Sequence, residues 1–183
     1  MVSDMQLRRV KATLRSMMRT RGYKDMVRCK DSPHRVYRAT KGDGDPRGVM
    51  IVMCVSEPKL GIKALRDIQE RVADEEHLLI IYNVSMTSFA KQHLEKLAVE
   101  GTIVETFAVG QLQFDIMRHA LVPPHKEVSA RCVRKLGVTP EQLPVILATD
   151  PVVRYFRWPR GTIVRVTLAN PEGHEYYDYR VVA

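Results

Sequence analysis

The sequence of 183 residues has an ordinary globular composition, with 45% hydrophobic and 27% charged residues. Its three cysteines are far apart and odd in number, so they predict neither a disulfide framework nor a zinc knuckle and are typical of a reducing compartment. The apolar runs are too short to cross a bilayer and no secretory leader is visible, so we expect a soluble intracellular protein without membrane contact.

The net charge of +8 is concentrated in the first thirty residues, where nine Lys and Arg face only Asp4 and Asp25, a local charge of +7. Residues 5–21 predict an amphipathic helix, because apolar residues recur at helical spacing and Gly22 follows as a C-terminal stop. Its basic residues are Arg8, Arg9, Lys11, Arg15 and Arg19. They fit two hypotheses, a surface that meets a polyanion or an ordinary solvated helix face.

Residues 24–47 are polar and are predicted to be irregular, and 41–48 form a loop by composition. Strands and helices then alternate, which predicts a three-layer α/β domain with crossover connections. The predicted strands are 49–55, 78–82 and 102–107. One helix carries Ile62, Leu65, Ile68 and Val72, and another runs to Leu97 after a cap at Ser85 or Thr87.

Two prolines near 119–125 favour an extended connector, and they mark a boundary between predicted domains at 1–117 and 118–183. The second domain is predicted to be small and α+β. It would begin with short helices at 129–136, after Thr139, and from Asp150 to Phe156. It would end in a β-hairpin of 161–168 and 176–182, with a turn at 170–173.

One pattern suggests a metal-dependent nuclease of the PD-(D/E)xK type, namely Asp45-Pro46 followed by Glu57-Pro58-Lys59. Pro58 argues against it because proline ends a strand, and Asp45 lies in a glycine-rich loop where acids form turns. The six histidines fall at no metal-binding spacing, and Cys54 is expected to be a buried inert thiol. The sequence predicts no catalytic residue, metal site or cofactor.

Five motifs in the C-terminal part occur in the order found in one protein family. They are His-Ala-Leu-Val-Pro at 119–123, Gln-Leu-Pro at 142–144, Asp-Pro-Val-Val-Arg-Tyr at 150–155, Arg-Gly at 160–161 and Tyr-Arg-Val-Val at 179–182. On these motifs the C-terminal domain resembles the short archaeal RNA polymerase subunit of this family. The whole chain resembles its longer eukaryotic counterpart, the fifth subunit shared by the nuclear RNA polymerases.

The N-terminal part also follows the family. Arg-Gly-Tyr at 21–23 closes the first helix as in the family, and Glu-Pro-Lys-Leu-Gly-Ile-Lys at 57–63 and Met-Thr-Ser-Phe-Ala-Lys-Gln at 86–92 are close to two family elements. There are departures. Ser88 stands where the family has proline, Arg157 where glycine is usual, and the segment between Tyr23 and Gly48 is shorter.

The resemblance implies a non-catalytic structural subunit of a DNA-directed RNA polymerase, with a nuclease-like N-terminal jaw domain and a C-terminal assembly domain. The jaw would lie near downstream duplex DNA, and the residues expected there are Pro58, Lys59, Thr87, Ser88 and Lys91. The residues expected to serve docking on the largest subunit are His119, Leu121, Pro123, Asp150, Pro151, Arg154, Tyr155, Arg160, Gly161, Tyr179 and Arg180.

The resemblance also implies the other core subunits as partners and a nuclear location, with a virion or host cytoplasm as the alternative for a viral protein. Two further functions stay open on the sequence. One is the nuclease, and the other is a free-standing adaptor that binds transcription factors through the C-terminal domain.

Overall fold

A computed structural model describes residues 2–29, 35–41, 48–71 and 76–183. The fold is a mixture of helices and several sheets, and the chain divides into two compact units, Met1–Phe114 and Asp115–Ala183. The boundary at 117/118 stays a prediction. No helix among the described residues has the length and hydrophobicity needed to span a membrane.

The first unit is built on a five-stranded sheet in the order β1-β2-β3-β5-β7, in which β3, β5 and β7 run parallel and the first three strands are antiparallel. Its elements are α1 Asp4–Thr20, β1 Asp25–Arg28, β2 Arg35–Thr40, β3 Val49–Cys54, β4 Lys59–Leu60, α2 Ile62–Arg71, β5 His77–Tyr82, β6 Ser85–Met86, α3 Ser88–Val99 and β7 Ile103–Ala108. A short 3-10 turn, Val109–Leu112, follows β7.

The three parallel strands and the helices between them confirm the predicted alternation. The prediction that 24–47 is irregular was wrong, because β1 and β2 pair antiparallel within it. In β2 the side chains of Val36, Tyr37 and Ala39 are buried while Arg38 is exposed. The many charged residues of this segment gave it a polar composition and led to the wrong prediction, although its β-branched and aromatic residues favour a strand. The predicted loop at 41–48, with Asp45, lies largely outside the described residues, as does Val72.

Helices cover both faces of this sheet. Val52 and Ile80 belong to a buried cluster with residues of α2 and α3. Side chains alternate along a strand, so Ile51 and Leu79 point to the opposite face. Helix α1 lies on that face, since Lys11 sits over the ring of Tyr37, the residue paired with Ile51.

Helix α1 begins and ends as predicted. Ser3 and Gln6 form a reciprocal capping box at its start. At its end Gly22 adopts a left-handed φ of 85°, and the N–H of Tyr23 donates to the carbonyl of Met18 at 2.9 Å. The buried side of the helix carries Leu7, Val10, Thr13, Leu14, Met17 and Met18.

A buried ionic cluster ties the end of α1 to the sheet. The guanidinium of Arg21 donates to both carboxylate oxygens of Glu105 at 2.8 Å, and Nε2 of His77 lies 2.7 Å from Oε1. Burial alone would raise the pKa of Glu105, but hydrogen bonds from His77 and Arg21 and their charges outweigh it and lower the pKa to about 2. No pattern in the sequence predicted this cluster.

The second unit is a four-stranded sheet in the order β8-β10-β11-β9, with short helices beside it. Its elements are β8 His125–Val128, α4 Ala130–Arg134, β9 Val145–Ile146, α5 Pro151–Phe156, β10 Ile163–Ala169 and β11 Glu175–Val182, with 3-10 turns at Ile116–Arg118 and Pro140–Gln142. The predicted hairpin is confirmed as β10 and β11. Strands β8 and β9 were not predicted, because each is short and follows prolines.

Helix α5 also forms as predicted, with Asp150 as its cap and Pro151 in its first turn. Asp150 accepts a hydrogen bond from the N–H of Val152 at 2.8 Å. The helix ends at Arg157, which has a φ of 59° and is the one described non-glycine residue with positive φ. This left-handed conformation explains why glycine would be favoured at this position.

We expect Arg157→Gly to raise the stability of the chain by about 1 kcal/mol, because a side chain in the left-handed region costs about 1–2 kcal/mol and glycine returns part of this as backbone entropy. Thermal unfolding followed by circular dichroism measures the change. Arg157→Ala is the matched control, since it removes the same side-chain contacts but keeps the strained backbone. Equal melting temperatures for the two variants would contradict the backbone explanation.

Candidate functional site

Two loops of the first unit meet at the carboxyl edge of the parallel strands. They follow β3 and β5, which are neighbours in the sheet. Within these loops β4 and β6 pair in parallel, with Lys59 opposite Ser85. The carbonyl of Pro58 accepts hydrogen bonds from the N–H groups of Val84 at 3.1 Å and Ser85 at 3.2 Å. Segments that are separate in the sequence therefore form one surface, which we call the loop surface (residues 57–63 and 84–91).

Helices α2 and α3 both begin at the loop surface, so the N-termini of both helices lie there. Helix α2 starts directly after β4, and α3 starts directly after β6. Thr87 caps α3, since its hydroxyl accepts from the N–H of Ala90 at 3.1 Å, which selects Thr87 over Ser85 as the predicted cap. Neither helix has an acidic residue in its first turn. The unsatisfied N–H groups and the helix dipoles therefore make the loop surface favourable for anions.

The structure brings together the five residues predicted to lie near DNA. Pro58, Lys59, Ser88 and Lys91 are exposed, and Thr87 is half-buried because it caps the helix. Ser88 is the first residue of α3, a position that accepts proline well, which explains the proline found there in the family.

Two exposed apolar residues also belong to the loop surface and were not singled out from the sequence. Phe89 is 70% exposed and Val84 is 68% exposed. Phe89 follows the helix start and Val84 precedes β6, so both lie beside the predicted residues. The sequence signal that could have pointed to Phe89 is that it falls outside the helical apolar stripe of Ala90, Leu94 and Leu97.

The residues of the nuclease pattern do not form a strand-end site. Strand β3 ends at Cys54, whereas Glu57 is an exposed loop residue and Lys59 belongs to β4. Asp45 lies outside the described residues. In residues 2–29, 35–41, 48–71 and 76–183 no group of three His, Cys, Asp or Glu side chains could hold a metal ion. Cys54 is buried as expected, and burial raises the pKa of its thiol to about 12.

The residues predicted to serve docking are spread over the second unit. Tyr155 is buried, at 3% exposure, while Asp150 and Pro151 start α5, so these three shape the fold. Gly161 has a φ of 85° and donates its N–H to the carbonyl of Val182. The exposed members are His119, Leu121, Pro151, Arg160, Gly161 and Arg180, and the half-buried ones are Pro123, Asp150, Arg154 and Tyr179.

The side of this sheet that faces away from the core cluster of Val153 and Val164 is only partly covered. Residues that pair directly across strands share a face, and strand pairing puts Val145 beside Val181, and Arg165 beside Tyr179. We call this the outer face. Its members with exposed or half-buried side chains are Lys126, Val128, Val145, Arg165, Thr167, Ala169, Glu175, Tyr177, Tyr179 and Val181.

The outer face holds an incompletely bonded arginine. The guanidinium of Arg165 lies 4.4 Å from the centre of the Tyr177 ring, a cation–π contact. Its buried Nε has no hydrogen-bond partner among the described residues. Val145 and Tyr177 are 57% and 49% exposed. Exposed apolar and aromatic residues around an arginine are typical of a protein-binding surface, and Tyr179 was the one residue of it predicted from the sequence.

Comparison with known proteins gives one family. The family model described as RNA polymerase Rpb5, C-terminal domain, matches residues 114–182, which coincides with the second unit. DNA-directed RNA polymerase subunit Rpo5 of the archaeon Pyrococcus abyssi is 38% identical over 77 residues, which cover 40% of this chain and 94% of that protein.

Eukaryotic proteins are similar over a longer stretch. The subunit RPABC1 of DNA-directed RNA polymerases I, II and III from Caenorhabditis briggsae is 28% identical over 202 aligned positions, covering 97% of this chain and 95% of that protein. The corresponding protein of Dictyostelium discoideum is 29% identical over 144 positions, covering 75% of this chain and 73% of that protein. The similarity to the nematode protein therefore extends over both units.

Proposed function

The chain belongs to the Rpb5 family of RNA polymerase subunits, and we infer from this that it is a non-catalytic structural subunit of a multisubunit DNA-directed RNA polymerase. The observation that carries this inference is the match of the archaeal subunit over 94% of its length, together with the nematode subunit over 95%. The nuclease and the free-standing adaptor gain no support from these relatives. As a polymerase subunit with eukaryotic relatives, the protein is proposed to act in the nucleus.

We propose that the N-terminal domain, residues 1–117, forms part of a jaw beside downstream duplex DNA, with the loop surface toward the duplex. The support is the chemistry of that surface. It combines two helix N-termini free of acidic residues with exposed Lys59 and Lys91 and the hydroxyl of Ser88. Such groups bind phosphate without reading bases, as a subunit that must slide along any sequence requires.

We propose that the C-terminal domain, residues 118–183, docks on the largest subunit. The outer face supports this, because it leaves Val145 and Tyr177 in water and Nε of Arg165 without a partner among the described residues. A partner that covers this face would bury the apolar area and supply an acceptor to Arg165. The docking role of Asp150, Pro151 and Tyr155 would be indirect, because these residues hold α5 against the sheet.

Affinity purification of the tagged chain from its own cells, followed by mass spectrometry, tests the proposal. The largest polymerase subunit and the other core subunits should be recovered in amounts comparable to the chain itself. Recovery of transcription regulators without core subunits would instead support the adaptor. A chain found monomeric and unassociated in extract would contradict the proposed function.

A further inference from the structure

The solvent-facing side of α1 is strongly basic. Arg8, Arg9, Arg15 and Arg19 are all exposed, whereas the apolar side of the helix is buried against the first unit. The other cation of α1 and the cation at its C-cap are both engaged. Lys11 lies over the ring of Tyr37, and Arg21 binds Glu105.

Three of these arginines form a straight row. At 100° per residue, Arg8, Arg15 and Arg19 fall within about 40° of one another around the helix axis. They are separated along the axis by about 10 Å and about 6 Å, at 1.5 Å per residue. The capping box and the buried side hold the helix in place, so the row is presented on a rigid element. We call it the arginine row (Arg8, Arg15, Arg19).

In the isolated chain, Lys11 and two members of the arginine row repel one another. Lys11, Arg15 and Arg19 are like charges at successive i,i+4 positions, an arrangement that destabilises a helix. No described carboxylate forms a salt bridge with Arg8, Arg15 or Arg19, and the acid in the first turn is Asp4. Folding alone would favour mixed charges on this face, so the repulsion indicates a polyanionic partner that offsets it.

We propose that the arginine row binds the phosphate backbone of duplex nucleic acid, as a second contact surface of this chain. Each arginine can form paired hydrogen bonds with a phosphate, and successive phosphates of one strand advance by about 3.4 Å along the duplex axis, so arginines about 10 Å and about 6 Å apart can reach different phosphates. Between Arg8 and Arg19 the unburied residues other than Arg15 are Arg9, Lys11, Ala12 and Ser16, and the large apolar residue exposed on the helix is Met5, near its start.

This composition favours duplex over the other polyanions. Single-stranded nucleic acid is held by aromatic side chains that stack on bases, and α1 contains none. Protein interfaces are centred on buried apolar or aromatic anchors, which the arginine row also lacks. The row is separate from the loop surface, because α1 covers the opposite face of the sheet from α2 and α3. The proposal thus goes beyond the proposed function.

The test measures binding of the 183-residue chain to a short duplex DNA of mixed sequence by fluorescence anisotropy over a range of salt concentrations. The variant is Arg8→Gln with Arg15→Gln. Glutamine keeps helix propensity, and circular dichroism checks that the helix remains. Each lost phosphate contact should lower the slope of log affinity against log salt by about 0.9, so we expect a decrease of about 2.

The matched control is Arg131→Gln with Lys135→Gln, which removes the same charge from exposed residues of the second unit. It should leave the slope within experimental error of the parent chain. An unchanged slope in the α1 variant, or an equal decrease in the control, would overturn the proposal. Tighter binding of polyglutamate or of single-stranded RNA than of duplex at the same salt would also overturn it, and would assign the row to an acidic protein or to a single strand.

Discussion

Replacing Glu105 by glutamine should lower the free energy of unfolding by about 3 kcal/mol at pH 7. The carboxylate receives hydrogen bonds from Arg21 and His77, and its side chain is 13% exposed. Its pKa is about 2, against an ordinary value of 4.5, and that difference corresponds to about 3 kcal/mol. Glutamine also leaves the buried guanidinium of Arg21 without its counter-ion, and breaking a buried ion pair costs about 3–5 kcal/mol.

The effect should depend on pH with a definite sign. Because the folded chain holds the pKa of Glu105 below its ordinary value, the contribution is present above about pH 4.5. It is lost as the pH falls toward 2, since the unfolded chain takes up the proton first. Urea unfolding of parent and variant at pH 7, 4 and 2 should therefore show a stability difference that shrinks at the lowest pH. Taking the difference in unfolding free energy between parent and variant at each pH cancels the contribution of the other carboxylates, because they titrate in both proteins.

Glu100→Gln is the matched control for this experiment. Glu100 is exposed and pairs with Lys96 at 3.8 Å on the surface of α3, so its loss should change stability by less than about 0.5 kcal/mol. The double variant Arg21→Met with Glu105→Gln should recover part of the loss, because it leaves no uncompensated cation. A cost below 1 kcal/mol for Glu105→Gln, or a difference independent of pH, would refute the role given to this cluster.

The ionic cluster also illustrates what the sequence could not reveal. Arg21, His77 and Glu105 come from three separate elements, and nothing in their spacing indicates that the sheet register places them together. In contrast, α1, α5 and the final hairpin were predicted from local signals, namely helical periodicity, the Asp150–Pro151 cap and alternation with period two. A helical periodicity or a helix cap can be recognised within one short stretch of sequence. A tertiary contact depends on which strands pair and in which register, and a short stretch does not show this.

The loop surface and the outer face also differ in how much of each could be predicted from the sequence. The loop surface could be assembled from the sequence because the family resemblance marked both of its segments, and β4 and β6 then join them. Of the outer face, Tyr179 was predicted. Val145 was missed because β9 has two residues and pairs in parallel with the distant end of β11. A strand of that length carries no periodicity to detect.

Substituting two residues of the outer face should separate the chain from the polymerase without unfolding it. The variant is Val145→Asp with Tyr177→Asp, and both positions are about half exposed, so aspartate is tolerated in the free chain. If the largest subunit covers the outer face, the two aspartate carboxylates would be buried there without a hydrogen-bond or ion-pair partner. Interface anchors of this kind are worth about 2 kcal/mol or more each, so recovery of the largest subunit should fall at least about 100-fold.

A matched substitution decides whether this loss belongs to the outer face. Leu136→Asp replaces another exposed apolar residue of the same unit, in the turn after α4 and not on the outer face, and it should leave recovery unchanged. Circular dichroism of both variants should give melting temperatures close to that of the parent chain. If the outer-face variant keeps its partners while staying folded, docking does not use this face, and the family membership stands without it. If both variants lose their partners equally, the docking surface extends beyond the outer face to the α4 side of the unit.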